Sequence, residues 1–351
     1  MTINIGIYTK TNWSNPFPLF ESTASSRGIT VKENRFDGMD IIYFDSVSEK
    51  DFQYVSDQLE VFLKKTPIYV YFRTGTFDPD HYSYREGTVR KHRAFELYIN
   101  EIASGILAPN EDAVGYMRAS GWTSPIYNIS GSPFRKDSVE SFISSPPLFE
   151  DRDMVVTYSN SLTVENQPHY FFDLVEEYSK VYPSVKFKVI SQYILHSDVD
   201  GAVSRAEKLK KKGLLEIYDA LDKSSYYNHI AQSRVLFNCS LTSVSDEGMN
   251  EADFLGCNLL FPAVRGFPEA FAHDPNRLYI PWSEDDPFNK LNLLLNEKHH
   301  NTGLVAEWNS KTIDRIFDVF LNTGSYVADR NDSKYRRHQN HAKYQVVKIE
   351  E

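Results

Sequence analysis

Cysteine is scarce in this chain: Cys239 and Cys257 are the only two, and both lie in apolar runs, VLFNCSL and LGCNLLF. They are expected as small buried core residues, not as a disulfide or a metal site, which suits a reducing cytoplasm. No stretch approaches roughly eighteen consecutive apolar residues, so no membrane span is expected. The opening MTINIGIYTKTNW carries neither a charged leader nor a long apolar segment and is expected not to be a signal peptide. Positive charge is in deficit, with 38 Lys and Arg against 48 Asp and Glu and a formal net charge of −10. The chain as a whole is therefore not an electrostatic nucleic-acid binder, and any such contact must use a local basic patch. Neither a P-loop nor a Gly-x-Gly-x-x-Gly string occurs, which argues against kinases and NAD dehydrogenases. The ten histidines show no metal-ligand spacing, and His299 and His300 fall in a polar loop. Tandem repeats and low-complexity tracts are absent as well.

Aromatics are abundant, with 22 Tyr and 23 Phe in 351 residues. Core filling is the plain reading; stacking surfaces for sugars or bases are the alternative. Along the first half, strand-like runs alternate with helical periodicity. INIGIY, DIIYF (40–44), PIYVYF (67–72), GILAP (105–109) and SPIYNIS read as strands. DFQYVSDQLEVFLKK (51–65), ELYINEIAS and EDAVGYMRASG read as helices, the last ended by Gly121. From about 133 to 150 Pro, Ser and mixed charge break the rhythm, as a connection between domains does. It then resumes: MVVTYS, VKFKVISQ, RVLFNCSL, NLLFPAV and LYIPW as strands, and YFFDLVEEYSKVY, SSYYNHIAQS, EGMNEADFLG and GFPEAFA as helices. KLKKK (208–212) reads as solvated surface. The expected architecture is α/β, two doubly wound Rossmann-like domains facing across a cleft. The boundaries are 1–135, a linker over 136–150, a second domain over 151–330 and a tail over 331–351.

Open α/β sheets take ligands outside the carboxyl ends of their strands. After RVLFNCSL the polar loop TSVSDEG runs into the helix EGMNEADFLG, with Ser245 or Asp246 as its N-cap. The free N–H groups of Glu247, Gly248 and Met249 can then receive a diphosphate, aided by the helix dipole. Glu251 follows one turn on, and a carboxylate accepting two hydrogen bonds clamps a ribose diol.

The string Glu251-Ala252-Asp253-Phe254-Leu255-Gly256, then Asn258-Leu259-Leu260-Phe261, then Gly266-Phe267-Pro268-Glu269 resembles the donor-binding signature of retaining GT-B glycosyltransferases. The likeness covers roughly 151–285 well and the first half in outline. It implies a nucleotide-diphosphate sugar, a UDP-sugar, as co-substrate, with no other cofactor required. Glu251 would hold the ribose, Ser159, Asn160 and Ser161 would touch the phosphates, and Tyr218 to Leu221 would lie beside the base. Two positions depart from the family pattern. Ser243 stands where a second Glu is usual, with Glu247 the nearest carboxylate. TVENQ stands where a basic pair neutralises the diphosphate, which leaves that charge to Arg265, Arg205 or a divalent metal.

On the acceptor side, RTGTFDPDHYSY (73–84) follows the strand PIYVYF. Asp78, Asp80 and His81 can each serve as general base toward an acceptor hydroxyl; a plain Asp-Pro-Asp turn is the other reading. Arg85, Arg90, Lys91 and Arg93, interleaved with Tyr82, Tyr84 and Phe95, form the basic-aromatic cluster nearest the expected cleft. This layout resembles the phage enzymes that glycosylate hydroxymethylated DNA bases. The leading expectation is a cytoplasmic glycosyltransferase (in the host cytoplasm if phage-encoded), with double-stranded DNA bearing modified bases ahead of a glycan or small molecule as acceptor. A nucleotide-sugar epimerase or hydrolase and a non-catalytic binding module on the same fold are the alternatives.

Overall fold

The computed structural model describes residues 3–9, 17–45, 66–72, 75–78, 82–131, 133–195, 197–241 and 247–321. They form two compact α/β units, one from residues up to 133 together with the helix Thr312–Leu321, the other from 134 to 310.

The first unit holds a six-stranded sheet in the order β2-β1-β3-β4-β5-β6. Its strands are β1 (Ile3–Tyr8), β2 (Ile29–Glu33), β3 (Ile41–Phe44), β4 (Ile68–Tyr71), β5 (Gly105–Ala108) and β6 (Ile126–Asn128). Every pairing is parallel. β3, β4 and β5 are buried at all positions, as central strands covered on both faces must be, whereas the edge strand β2 is half-exposed. Tyr43, Tyr69, Tyr71 and Leu107 pack on Phe20 of the helix Phe17–Ser26 and on Ile316, Phe317 and Phe320 of the helix Thr312–Leu321. Buried Arg315 fixes the latter helix by donating to the carbonyls of Ile129 (2.7 Å) and Ser130 (2.8 Å). Arg27 adds ion pairs to Asp314 (2.8 Å) and Asp318 (2.5 Å). The chain thus returns to its first core after completing the second, so Thr312–Leu321 packs with the first unit although it falls in the range 151–330 expected for the second domain.

The second sheet runs β12-β11-β10-β7-β8-β9, again wholly parallel. Its strands are β7 (Asp153–Tyr158), β8 (Lys186–Ile190), β9 (Leu215–Tyr218), β10 (Ser233–Phe237), β11 (Asn258–Pro262) and β12 (Leu278–Tyr279). β7 pairs with both β8 and β10, so the winding reverses there and the switch point lies between β7 and β10. Alternation sorts the side chains between two layers. Val235, Phe237 and Leu260 face the helices Pro168–Val181, Ala202–Lys211 and Asp285–Asn296; Leu236, Leu259 and Phe261 face Lys223–Gln232, Glu247–Phe254 and Leu304–Ser310.

The aromatics fill these cores. In the first layer Phe237 stacks on Tyr279 (5.3 Å, 12°), Phe171 on Tyr158 (4.7 Å) and Tyr170 on Tyr279 (6.0 Å). Cys239 and Cys257 are buried free thiols, and burial pushes the Cys257 thiol up to about 12. The KLKKK run is the carboxyl end of a helix, with Leu209 buried and Lys208, Lys210 and Lys211 where the helix dipole favours cations. The helix read over 51–65 and the tail over 331–351 lie outside the described residues. Among the described residues no helix is long and apolar enough to cross a membrane.

Candidate functional site

Neighbouring residues of the helix Glu247–Phe254 point different ways. Ala252 and Leu255 are buried in the core. Asp253 is fully buried and pairs with Arg277 at 2.6 Å, while its other oxygen accepts from the N–H of Ala306 at 3.0 Å. Arg277 also donates to the carbonyl of Asn301 (3.1 Å) and lies 4.6 Å over the Phe271 ring. Asn250 accepts from Asn309 at 2.6 Å. Gly256 ends the helix at φ +78°, and a Cβ there would sit 2.9 Å from the guanidinium of buried Arg152. That guanidinium donates to the carbonyl of Leu255 at 2.5 Å. With these neighbours anchored, Glu251 stands half-buried, its Oε1 accepting from the Tyr227 hydroxyl at 2.8 Å.

Glu247 opens the helix, but its side chain, Ser243 and the N-cap candidates Ser245 and Asp246 lie outside the described residues. Met249 is a core side chain, so only its backbone N–H can meet a ligand; Gly248 is half-buried.

A cavity of about 270 Å³ opens at the carboxyl ends of β7 and β8. Ser159, Asn160, Ser161 and Asn166 line it from the β7 side, and Ser191 to Leu195 from the β8 side, with Tyr226 beside them. Ser161 is the best-fixed of the predicted phosphate contacts: Asn166 Nδ2 donates to its Oγ and its carbonyl, both at 3.1 Å. The lining is uncharged and largely polar, with Leu195, Tyr226 and the exposed rim of Tyr193 and Ile194 as its apolar and aromatic members. Its volume falls below the roughly 300–1,000 Å³ of sites that enclose whole ligands, so it suits part of a larger molecule. Tyr218 and Leu221 buttress this wall. Ser191 N–H donates to the carbonyl of Tyr218 (2.9 Å), and Leu221 N–H to that of Ser191 (3.1 Å). Tyr226 and Tyr227 are adjacent on one helix, so the cavity and Glu251 share a support.

The two arginines considered for diphosphate charge differ. Arg205 is held at the surface by Asp173 (2.6 Å) and Glu176 (2.8 Å) of the helix Pro168–Val181. This removes it from the candidates. Arg265 stands at φ +55° just after β11, with Nε donating to the carbonyl of Leu241 at 3.3 Å. Among the described residues no three His, Cys, Asp or Glu side chains gather as metal ligands. His299, read as part of a polar loop, is buried and sits 3.2 Å from Asp274. It belongs to a structural network with Asn301 and Asn258.

In the first unit Asp78 is buried after β4. Asp112, in the helix Glu111–Ala119 after β5, has its carboxyl raised first by burial and then by the charge of Asp78. Burial, Asp112 and Asp78 likewise raise the Tyr116 phenol. Asp112 and Tyr116 were not anticipated; the signal was Asn110-Glu111-Asp112 opening a helix at the same sheet end, and Asn110 does cap it, accepting from Ala113 N–H at 2.8 Å. Asp80, His81 and the Arg85 side chain lie outside the described residues. Arg90 and Lys91 are exposed in the first turn of the helix Val89–Ile102. Arg93 is engaged within the unit: it donates to the carbonyl of Ser120 and lies 3.8 Å from Glu96. Glu96 is itself buried and accepts from Thr76 N–H and Oγ1, both at 2.5 Å.

No protein-family model matches the chain. No curated protein sequence matches it either. Solved structures do. A point mutant of S. aureus TarM in complex with fondaparinux, α-GlcNAc-glycerol and UDP superposes at TM-score 0.55 and 14% identity over 86% of this chain. The chain spans 55% of that protein's length. Anabaena HepE in complex with UDP and glucose gives 0.56 and 13%, over 92% of this chain and 100% of HepE. An α-glucosyltransferase in complex with UDP and a 13-mer DNA containing an HMU base gives 0.55 and 13%, again over 92% of this chain and 100% of that one. These likenesses show the fold: two doubly wound parallel units of the GT-B glycosyltransferase type.

Proposed function

We propose that the chain is a glycosyltransferase whose second unit holds a nucleoside-diphosphate sugar, a UDP-sugar, and whose first unit presents a hydroxyl acceptor. The observation that carries this reading is the polar cavity at the ends of β7 and β8, joined through Tyr226 and Tyr227 to the half-buried carboxylate of Glu251. A nucleoside fits the uncharged cavity, with its base along Tyr218 to Leu221. Glu251 accepts hydrogen bonds from the ribose diol, and the bond from Tyr227 orients that carboxylate in advance. The diphosphate then meets the N–H groups of Glu247, Gly248 and Met249 and the Ser159–Ser161 turn. Arg265, just after β11, supplies counter-charge to the leaving group. For the general base we take Asp78, which the sequence offered, or its neighbour Asp112, whose carboxyl is raised by burial and by the charge of Asp78 and is by that the better proton acceptor near physiological pH.

The acceptor we favour is a hydroxymethylated base in duplex DNA, approached by Arg85, Arg90 and Lys91. The UDP- and DNA-bound α-glucosyltransferase of the same fold supports it. Such a base must leave the stack before its hydroxymethyl group meets the donor, at a cost of roughly a few kcal/mol. A glycan or small-molecule acceptor is the second reading, favoured by the engagement of Arg93 with Ser120 and Glu96, which thins the basic cluster. The test is incubation with a panel of nucleotide sugars, following released nucleotide with and without hydroxymethylated DNA. DNA-stimulated UDP release is expected. Release on glycans alone transfers the proposal to the second reading, and no release with any acceptor defeats the transferase reading.

A further inference from the structure

Lys188 is a charged residue inside the second unit. It sits mid-strand on β8, 6% exposed, turned toward the layer under the helix Lys223–Gln232. A lysine there needs a partner. Glu216 on the edge strand β9 supplies one, with Nζ to Oε2 at 4.0 Å. The same Oε2 accepts from the Tyr218 hydroxyl at 2.9 Å, and Nζ lies 5.9 Å over the Tyr218 ring. From the helix, His229 lays its imidazole on that ring, centroid to centroid 4.2 Å, and its buried Nδ1 meets no hydrogen-bond partner. Two nearby acids are engaged otherwise: Asp219 accepts from Leu195 N–H (3.1 Å), and Asp222 caps the helix by accepting from Ser225 N–H (2.8 Å). The groups facing Tyr218 are thus Lys188 from β8, Glu216 from β9 and His229 from the helix.

Tyr218 is also where the cavity wall is tied. Its carbonyl accepts from Ser191 N–H, Leu221 N–H returns to the carbonyl of Ser191, and Ala220 N–H donates to that of Tyr193 at 3.1 Å. We propose that Lys188, Glu216 and His229 are positioning residues for the nucleotide: they hold the Tyr218 side chain, and with it the backbone from Tyr218 to Leu221, in the pose that receives the base. The inference rests on the donor reading above. It carries a pH dependence of definite sign. Burial first, and then Lys188, lower the His229 pKa against a smaller opposing pull from Glu216. The imidazole is therefore neutral at pH 7 in the closed cluster. An unfolded or opened segment takes up the proton at a higher pH than the closed one, so acid favours opening. Donor binding should weaken as the pH falls through the histidine range.

Calorimetric titration of the full chain with UDP tests this between about pH 8 and 5. Wild-type affinity is expected to decline toward the acid end, and His229→Gln to flatten that decline. At about pH 7.5 Lys188→Met should lose about tenfold in affinity and Lys188→Arg, which keeps the cation, should recover most of it. Tyr218→Phe keeps the ring, removes the bond to Glu216 and should lose about threefold; it also serves if Lys188→Met fails to fold. Wild-type UDP binding matched by Tyr218→Phe, with His229→Gln titrating like wild type, overturns the positioning role and leaves the donor reading standing. A wild-type chain that binds no nucleoside diphosphate overturns the donor reading itself, and this inference with it.

Discussion

Two helices follow sheet strands on chain segments read as ligand-contacting, and they treat their polar residues in opposite ways. In Glu247–Phe254 the polar neighbours of Glu251 are buried: Asp253 on Arg277, Asn250 on Asn309. Glu251 stays half-buried, with the Tyr227 hydroxyl donating to it. In Val89–Ile102 the most enclosed cation of the basic segment, Arg93, is bound to Ser120 and Glu96, while Arg90 and Lys91 are exposed. A preorganised group surrounded by structural contacts fits recognition of a small, defined ligand. Exposed cations on a helix end fit a diffuse anionic partner, or none. The helix Glu247–Phe254 of the second unit is thus built to a tolerance that Val89–Ile102 of the first does not share.

The largest expected effect tests the frame behind Glu251. Asp253→Ala leaves Arg277 charged and enclosed without its carboxylate, and breaking such a pair costs about 3–5 kcal/mol. Denaturant unfolding of the full chain should show this loss in the second unit. A change below about 1 kcal/mol would mean that the pair does not anchor the helix.

Next is Glu251 itself. Glu251→Ala should cost about 1.5–3 kcal/mol of UDP affinity, the value of a charge-assisted hydrogen bond. The melting temperature should fall only modestly, by the loss of the one bond that the Tyr227 hydroxyl donates to this half-buried carboxylate. Calorimetry and a thermal melt on one sample separate the two. A large fall in melting temperature with unchanged affinity would make Glu251 a structural residue like Asp253.

Gly256 sharpens the same point at a smaller scale. Gly256→Ala puts a Cβ at φ +78° and 2.9 Å from Arg152. That should cost about 1–3 kcal/mol of stability. Pairing it with Arg152→Lys should recover part of the loss if the contact, and not φ alone, is responsible; a double-mutant cycle reads the coupling.

These residues also show what the sequence could convey. Short apolar runs such as IIYF and IYVY announce buried parallel strands because they are too short for a helix and are rich in β-branched and aromatic residues. The interval from Glu251 to Gly256 was legible because one helical turn and one left-handed residue fix it locally. The Tyr227 brace was not, being 24 residues away and brought close by a helix crossing. Asp253 looks like a surface carboxylate until Arg277, also 24 residues distant, closes on it. The helix Thr312–Leu321 offered no hint that its apolar face matches the aromatics of the first sheet, since complementarity between distant segments has no period. Arg93 likewise reads as one more cation in RKHR; only folding brings the Ser120 carbonyl to it.

The smallest effect decides what the exposed cations do. Arg90 and Lys91 sit in the first turn of their helix, where the dipole is already positive and basic side chains are disfavoured by about 0.3–1 kcal/mol each. Both side chains are exposed, where a surface pairing is worth at most about 1 kcal/mol, so replacing both with Gln should change stability little. If they contact DNA phosphates, the same change weakens binding to duplex of any sequence and lowers the logarithmic salt slope by about two units, one per phosphate contact. UDP affinity should stay the same, because the residues proposed to hold the donor belong to the other unit. Arg93→Gln is the contrast: it frees the carbonyl of Ser120 and leaves buried Glu96 without its neighbouring cation. It should destabilise the first unit by about 1–3 kcal/mol. Fluorescence anisotropy on hydroxymethylated duplex across a salt series, beside thermal melts of the three proteins, separates these roles. An unchanged salt slope in the Arg90→Gln, Lys91→Gln protein removes DNA from this face. A lowered slope with intact melting would put these two side chains on the phosphates of the acceptor and leave Arg93 to the fold.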